Sequence, residues 1–275
     1  MSELVKSHLR VNHMPHILCP GCGHGIIMGA VIRALDRLEI DPDKTMIVSG
    51  IGCSSRVPGY MDYNTLHTTH GRALAFATGI KLARPELKVI VLAGDGDIAA
   101  IGGNHLIHAA RRNIGISTVV FNNSIYGMTS GQYSPLTPKA ALATTAPYGN
   151  VDRSFDLCHL AQGAGATYVA RSTTYHIHLL IDLLTKAFSK NGFSFVEVFS
   201  QCPTYYGRRN RIGSAVDMMK DYKERAITVE AARKLSPAEL EGKIVIGEFL
   251  DIELPEYTAE YQKVVERAMA KKAGR

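Results

Sequence analysis

The chain has 275 residues, 31 Lys and Arg against 25 Asp and Glu, a net charge of +6 and 46% apolar residues. That length buries a full core as one large α/β domain, or one domain plus an appendage, and the composition excludes a disordered, collagen-like or disulfide-stapled chain. No apolar run approaches membrane-spanning length, Met1 to Arg10 lacks an apolar signal core, and five cysteines are too odd a number for a closed disulfide set; a reduced, cytoplasmic chain with no membrane partner is expected.

In chain order, Cys19-Pro20-Gly21-Cys22-Gly23-His24-Gly25 comes first: two cysteines three apart on a loop able to aim both thiols at one metal. An amphipathic helix follows, with Ile27, Val31, Leu35 and Leu38 on one face. A strand at 45–48 runs into the glycine-rich, polar loop Ser49-Gly50-Ile51-Gly52-Cys53-Ser54-Ser55-Arg56. His67-Thr68-Thr69-His70-Gly71-Arg72 then leads into a helix expected to pack through Ala75, Gly79 and Leu82. A helix start behind His70-Gly71 is a natural diphosphate seat; a plain capping loop is the simpler alternative.

The next stretch organises the rest. Val89 to Ala93 is a β-branched-rich run that ends on Gly94-Asp95-Gly96-Asp97, and Val119-Val120-Phe121 ends on Asn122-Asn123. Apolar runs that stop on turn chemistry read as buried parallel strands reaching a ligand crevice. The 25 residues between Gly96 and Asn122 leave room for one crossover helix, 103–112, and a return strand, so both polar ends are expected side by side. A carboxylate, an amide oxygen and a nearby backbone carbonyl make a hard-oxygen site suited to Mg2+ holding a phosphate ester. Ser124 to Gln132, with Met128 and Thr129, is a glycine- and hydroxyl-rich loop able to fold over a cofactor.

An irregular stretch, 139–150, precedes a helix at 155–163, a strand at 167–170, a helix at 175–190 and a strand at 194–199 that ends in Gln201-Cys202-Pro203. Beyond Tyr206 charge density rises and periodicity weakens, with helical patches at 237–242 and 257–269 and an extended one at 243–247. The domain reading is therefore 1–206 as the ligand-binding α/β unit and 207–275 as an extension packed on it or on a partner. The basic clusters Arg208-Arg209-Asn210-Arg211 and Lys271-Lys272 carry no interleaved aromatics, so no nucleic acid is expected.

Cys19, Cys22, Cys53 and Cys202 lie on loops at element ends, whereas Cys158 falls inside an apolar helical pattern and reads as a core residue. Four such thiolates suit zinc or a 4Fe–4S cluster. A single close pair plus two scattered ligands tilts toward iron–sulfur.

Gly94-Asp95-Gly96 followed after 25 residues by Asn122-Asn123 resembles the thiamine diphosphate fingerprint. By that resemblance Asp95, Asn123 and the carbonyl of Ile125 bind Mg2+, with His70, Gly71, Gly94, Gly96, Asp97 and Thr129 around the cofactor. Together with Cys-Pro-Gly-Cys-Gly-His-Gly, Gly-Ile-Gly-Cys-Ser-Ser-Arg, His-Gly-Arg-Ala and Tyr-Gly-Met-Thr-Ser-Gly-Gln, it resembles the β subunit of 2-oxoacid:ferredoxin oxidoreductases, from about Leu9 to the C-terminus. The Ser-Ser-Arg form looks most like the 2-oxoglutarate-using branch.

The resemblance implies a mostly parallel sheet with helices on both faces. It implies oxidative decarboxylation of a 2-oxo acid with coenzyme A, and electrons leaving through a 4Fe–4S cluster on Cys19, Cys22, Cys53 and Cys202 to ferredoxin. Arg56 and Met128 match positions of the substrate pocket. The activating glutamate is expected on an obligate α subunit, since this chain has room only for the diphosphate half, and small ferredoxin-like subunits occur in some members. The alternatives are pyruvate or a broader 2-oxoacid range, a thiamine decarboxylase or synthase without a cluster, and a non-catalytic metal-binding or electron-transfer subunit.

Overall fold

The computed structural model describes residues 3–273. The helices are α1 (Glu3–Ser7), α2 (His24–Arg37), α3 (Ala73–Ala83), α4 (Asp95–Ala99), α5 (Gly103–Arg112), α6 (Leu157–Gly163), α7 (Ile177–Ser189), α8 (Ala215–Arg225), α9 (Val229–Ala232) and α10 (Tyr257–Ala273). The strands are β1 (Thr45–Ser49), β2 (Asn64–His67), β3 (Lys88–Gly94), β4 (Ile116–Asn122), β5 (Tyr168–Thr173), β6 (Ser194–Phe199), β7 (Ala226–Thr228) and β8 (Ile244–Asp251). They form one sheet in the order β2-β1-β3-β4-β6-β5-β8-β7. Every pairing from β2 to β5 is parallel.

Alternate residues of each central strand face opposite layers. Ile90, Leu92, Val119 and Phe121 pack with Ile27, Val31 and Leu35 of α2 and Leu180 and Leu184 of α7. Val89, Val91, Ala93 and Val120 pack with α3, α5 and α6 on the other face. Burial on both sides explains the near-continuous apolar runs, because helices cover both faces of a parallel sheet. The chain goes from β1 outward to β2 and returns to β3 on the other side of β1. That reversal opens a crevice beyond the carboxyl ends of β1 and β3, where ligands bind in doubly wound sheets.

Three local expectations change. α3 packs through Ala73, Leu74 and Ala77, while Ala75, Gly79 and Leu82 face outward; a helix apolar on almost every face gives its spacing no means of choosing one. The 237–242 patch is a single turn: Ser236 donates from its N–H and Oγ to Glu239 Oε2, and Gly242, at φ +75°, stops the chain before a helix can propagate. The charged stretch at 215–225 is instead helical, started by a reciprocal capping box between Ser214 and Asp217.

Residues beyond Tyr206 also enter the sheet. β8 pairs antiparallel with β5, with Tyr168 opposite Asp251, and β7 runs parallel to β8 at the edge. Among the described residues no helix is long and apolar enough to cross a membrane.

Candidate active site

The crevice is built by three strand ends. β3 runs straight from Gly94 into the single turn α4, so Asp95 and Asp97 stand in the first turn after the strand. The β3–β4 register pairs Gly94 with Phe121, which places Asp95 beside Asn122 and Asn123. β1 delivers Gly50 and Ile51 on the opposite side of β3.

Asp95 is 3% exposed and Asn123 is 6% exposed. The hydroxyl of Ser134 donates to Asp95 Oδ2. Burial pushes the Asp95 carboxyl up from 3.8 to about 7, against smaller lowering effects of Ser134 and the Gly96 N–H. A buried carboxylate whose strongest partner is a neutral hydroxyl lacks a counter-charge, and a divalent cation is the group that would supply one. Asn123 Oδ1 accepts from Ile125 N at 3.3 Å, so the amide and the Ile125 peptide share one tight turn.

Asp97 fastens loops together. Its Oδ1 accepts from Gly71 N at 2.7 Å and from Ile51 N at 3.3 Å. His70 Nδ1 lies 3.0 Å from the same oxygen, out of line for a hydrogen bond. Burial pushes Asp97 up, opposed by the two backbone donors. Gly50 leaves room for this carboxylate: a Cβ there would lie 1.9 Å from Asp97 Oδ2. Gly71 sits at φ +70°, and a Cβ would meet Ile101 Cγ2 at 2.3 Å, so its backbone conformation, more than any ligand, requires glycine.

These residues enclose a cavity of about 80 Å³ lined by His70, Gly94, Asp95, Gly96, Asp97, Asn123, Ile125, Met128 and Thr129, among others. Gly71 and Arg56 do not line it. The same wall includes residues that the sequence reading left without a role: His24, Phe121 and Tyr126. His24 is buried edge-on to Phe121 at 5.1 Å and bonded through Nδ1 to Ser200 Oγ at 2.8 Å. Burial lowers its imidazole from 6.5 to about 4, so it is neutral. The Tyr126 hydroxyl donates to Gly96 O at 3.0 Å, and a Cβ on Gly96 would lie 2.3 Å from its ring. The glycine was the only sequence signal of that close approach.

A second cavity, of about 230 Å³, has Cys19, Cys22, Cys53 and Cys202 on its wall together with Arg56, Asn123, Gly127 and Met128. A Cβ added to Gly127 would lie 3.3 Å from Cys53 Sγ and 4.0 Å from Cys202 Sγ. Burial raises the Cys22 thiol to about 12 and the Cys53 thiol to about 11, and the neighbouring thiols add to both. Burial also raises Cys202. Bound iron or zinc reverses that penalty by holding thiolates. Among the described residues no three His, Cys, Asp or Glu side chains converge on one ion-sized point. Cys158 stands apart at 0% exposure. Arg56 also borders a third, basic cavity with Arg10, His13 and His67, and its guanidinium has no hydrogen-bond or ion-pair partner among the described residues.

Residues 50–198 match the family model of the thiamine pyrophosphate enzyme C-terminal TPP-binding domain. The chain is 55% identical over 260 residues to the 2-oxoglutarate synthase subunit KorB of Methanocaldococcus jannaschii, covering 94% of this chain and 96% of that protein. It is 44% identical over 187 residues to the 2-oxoglutarate oxidoreductase subunit KorB of Mycobacterium tuberculosis, covering 68% of this chain and 50% of that one. A solved 2-oxoglutarate:ferredoxin oxidoreductase from Magnetococcus marinus, with 2-oxoglutarate, coenzyme A and succinyl-CoA bound, superposes with a TM-score of 0.86 at 36% identity, over 96% of this chain and 90% of the other.

Proposed function

This chain belongs to the β-subunit family of the thiamine diphosphate-dependent 2-oxoacid:ferredoxin oxidoreductases, and from that membership we propose that it works with an α subunit to oxidise 2-oxoglutarate. Coenzyme A takes the acyl group, so the products are succinyl-CoA and carbon dioxide, and the two electrons released pass through a 4Fe–4S cluster to ferredoxin. The observation that carries this reading is that the two cavities share Cys53, Asn123, Gly127 and Met128, so a cofactor in one would face an electron acceptor in the other.

In this reading Asp95, Asn123 and the Ile125 carbonyl hold Mg2+, and His70 with the Gly94–Asp97 turn borders the diphosphate. Thiamine diphosphate, when bound, supplies the electron sink for decarboxylation. Asp95 is held ionised by the cation it binds. Arg56, free of other partners and bordering the cysteine cavity, pairs the distal carboxylate of the substrate in fork geometry, with Met128 beside it. Cys19, Cys22, Cys53 and Cys202 ligate the cluster. The α subunit supplies the activating glutamate and closes the exposed side of the crevice, so this chain alone is inactive. Residues 1–206 carry the site and 207–275 support it. The enzyme works in the cytoplasm, and small ferredoxin-like subunits are optional partners.

The test is the complex co-purified with its α subunit, assayed with a viologen acceptor on 2-oxoglutarate, pyruvate and branched 2-oxo acids, together with iron and sulfide analysis. Preference for 2-oxoglutarate and about four irons per β chain are expected. A colourless complex with one zinc, or turnover by the β chain alone, would overturn the reading.

A further inference from the structure

We propose that Glu197, buried one strand away from the cavity, is a positioning residue for the Mg2+ site, acting through Asn122. This inference rests on the magnesium assignment above and adds a residue that touches neither metal nor cofactor.

Glu197 is 1% exposed in the middle of β6. Its Oε1 accepts from Asn122 Nδ2 at 2.7 Å and its Oε2 from Arg171 Nε at 2.7 Å. Arg171 is its cross-strand neighbour on β5. The Arg171 Nη2 donates onward to Asp156 Oδ1 at 2.6 Å. Its guanidinium lies 5.1 Å from the ring centroid of Phe249, on β8. Burial would raise the Asp156 carboxyl, but Arg171 beside it holds it below the usual range. A buried ion pair is costly unless its remaining groups are hydrogen-bonded; here both oxygens of Glu197 and two nitrogens of Arg171 are used.

Asn122 is where this charge reaches the metal turn. With its Nδ2 committed to Glu197, its Oδ1 must face the turn, where it accepts from Ser124 N at 3.0 Å and Ser124 Oγ at 3.3 Å. Ser124 stands at φ +59°, a left-handed conformation that a non-glycine residue keeps only when its surroundings enforce it. Asn123, between them, supplies the amide ligand, and Ile125, just after, the carbonyl. Only an acceptor at both ends of Glu197 satisfies this pattern. A glutamine there would turn an NH2 toward either Asn122 or Arg171, both donors. The relaxed answer is to flip the Asn122 amide, which sets an NH2 against Ser124 N–H and releases the turn.

The experiment uses the complex with its α subunit, stripped of cofactor, then titrated with Mg2+ at fixed thiamine diphosphate. Retained cofactor is measured after gel filtration, and the melting temperature of the stripped complex is recorded in parallel. Glu197→Gln should raise the Mg2+ concentration for half-maximal retention by about 10- to 100-fold, the range seen when a group that orients a metal ligand is lost. Asn122→Ala keeps the Glu197–Arg171 pair and should raise it similarly, which preserves the test if Glu197→Gln does not assemble. A lowered melting temperature with an unchanged Mg2+ requirement in both variants would reduce Glu197 to a structural residue and overturn the inference. A wild-type complex that retains no thiamine diphosphate at any Mg2+ concentration would remove the magnesium assignment itself, and the inference with it.

Discussion

Replacing Asp95 by asparagine should make the cofactor-free protein more stable at neutral and alkaline pH while destroying its response to cofactor. In the folded, cation-free chain the Asp95 carboxyl keeps its proton until about pH 7, whereas unfolded it ionises near 3.8. The folded state therefore binds the extra proton. Stability from this group is full below about pH 4 and is lost as pH rises to about 7. At about 1.4 kcal/mol for each tenfold change in proton affinity, the displacement amounts to about 4 kcal/mol at pH 8. The asparagine side chain would carry no charge to bury and would still accept from the Ser134 hydroxyl. For a chain of this size about 4 kcal/mol corresponds to about 7 °C in melting temperature, and to less in the larger complex. The assay is thermal unfolding of the stripped complex at pH 5.5 and pH 8, with and without Mg2+ and thiamine diphosphate. Wild type should gain more from cofactor at pH 8, where the cation meets an ionised carboxylate; Asp95→Asn should melt higher than wild type at pH 8 without cofactor and gain nothing with it. A variant that melts lower at pH 8, or that keeps its gain on adding cofactor, would refute the assignment of Asp95 as an uncompensated buried carboxylate awaiting a cation.

Gly50→Ala would place a methyl 1.9 Å from Asp97 Oδ2, so Asp97 must move off the Gly71 and Ile51 amides. Overpacking of this kind costs about 1–3 kcal/mol, and thiamine diphosphate content after gel filtration should fall sharply while circular dichroism stays native. Cys158→Ala removes a fully buried thiol whose contacts are Ala170 O and Glu197 Oε2, each at 3.7 Å. Iron content and visible absorbance should match wild type there, whereas Cys53→Ser should lose both.

Much of the site was already present in local sequence. Apolar runs ending on Gly94-Asp95-Gly96 and Asn122-Asn123 give away buried parallel strands and their polar tips, because strand burial and turn chemistry are short-range properties. What lay outside that reach was the pairing partner of each buried charge. Arg171 and Glu197 stand inside strands buried along almost their whole length, and a charge in such a place must be compensated. Yet residues 26 apart in sequence meet only because β5 and β6 are neighbours in register.

The last 69 residues were harder to read. Their strand β8 is the eight-residue Ile244–Asp251, with Glu248 and Asp251 breaking its apolar run, and its place in the sheet comes from β5 offering an open edge. α3 likewise shows no preferred face until the sheet beneath it selects one. By itself the chain determined the central strands, the side-chain types at their tips and the four loop cysteines, since these follow from periodicity and side-chain chemistry; the edge strands β2 and β7 gave no such signal. Tertiary structure alone decided that two cavities share one wall, that Asp97 clasps two loops, and that Arg56 borders the sulfurs and not the crevice. Those are distances between segments remote in sequence, and only the order and register of the sheet bring such segments together.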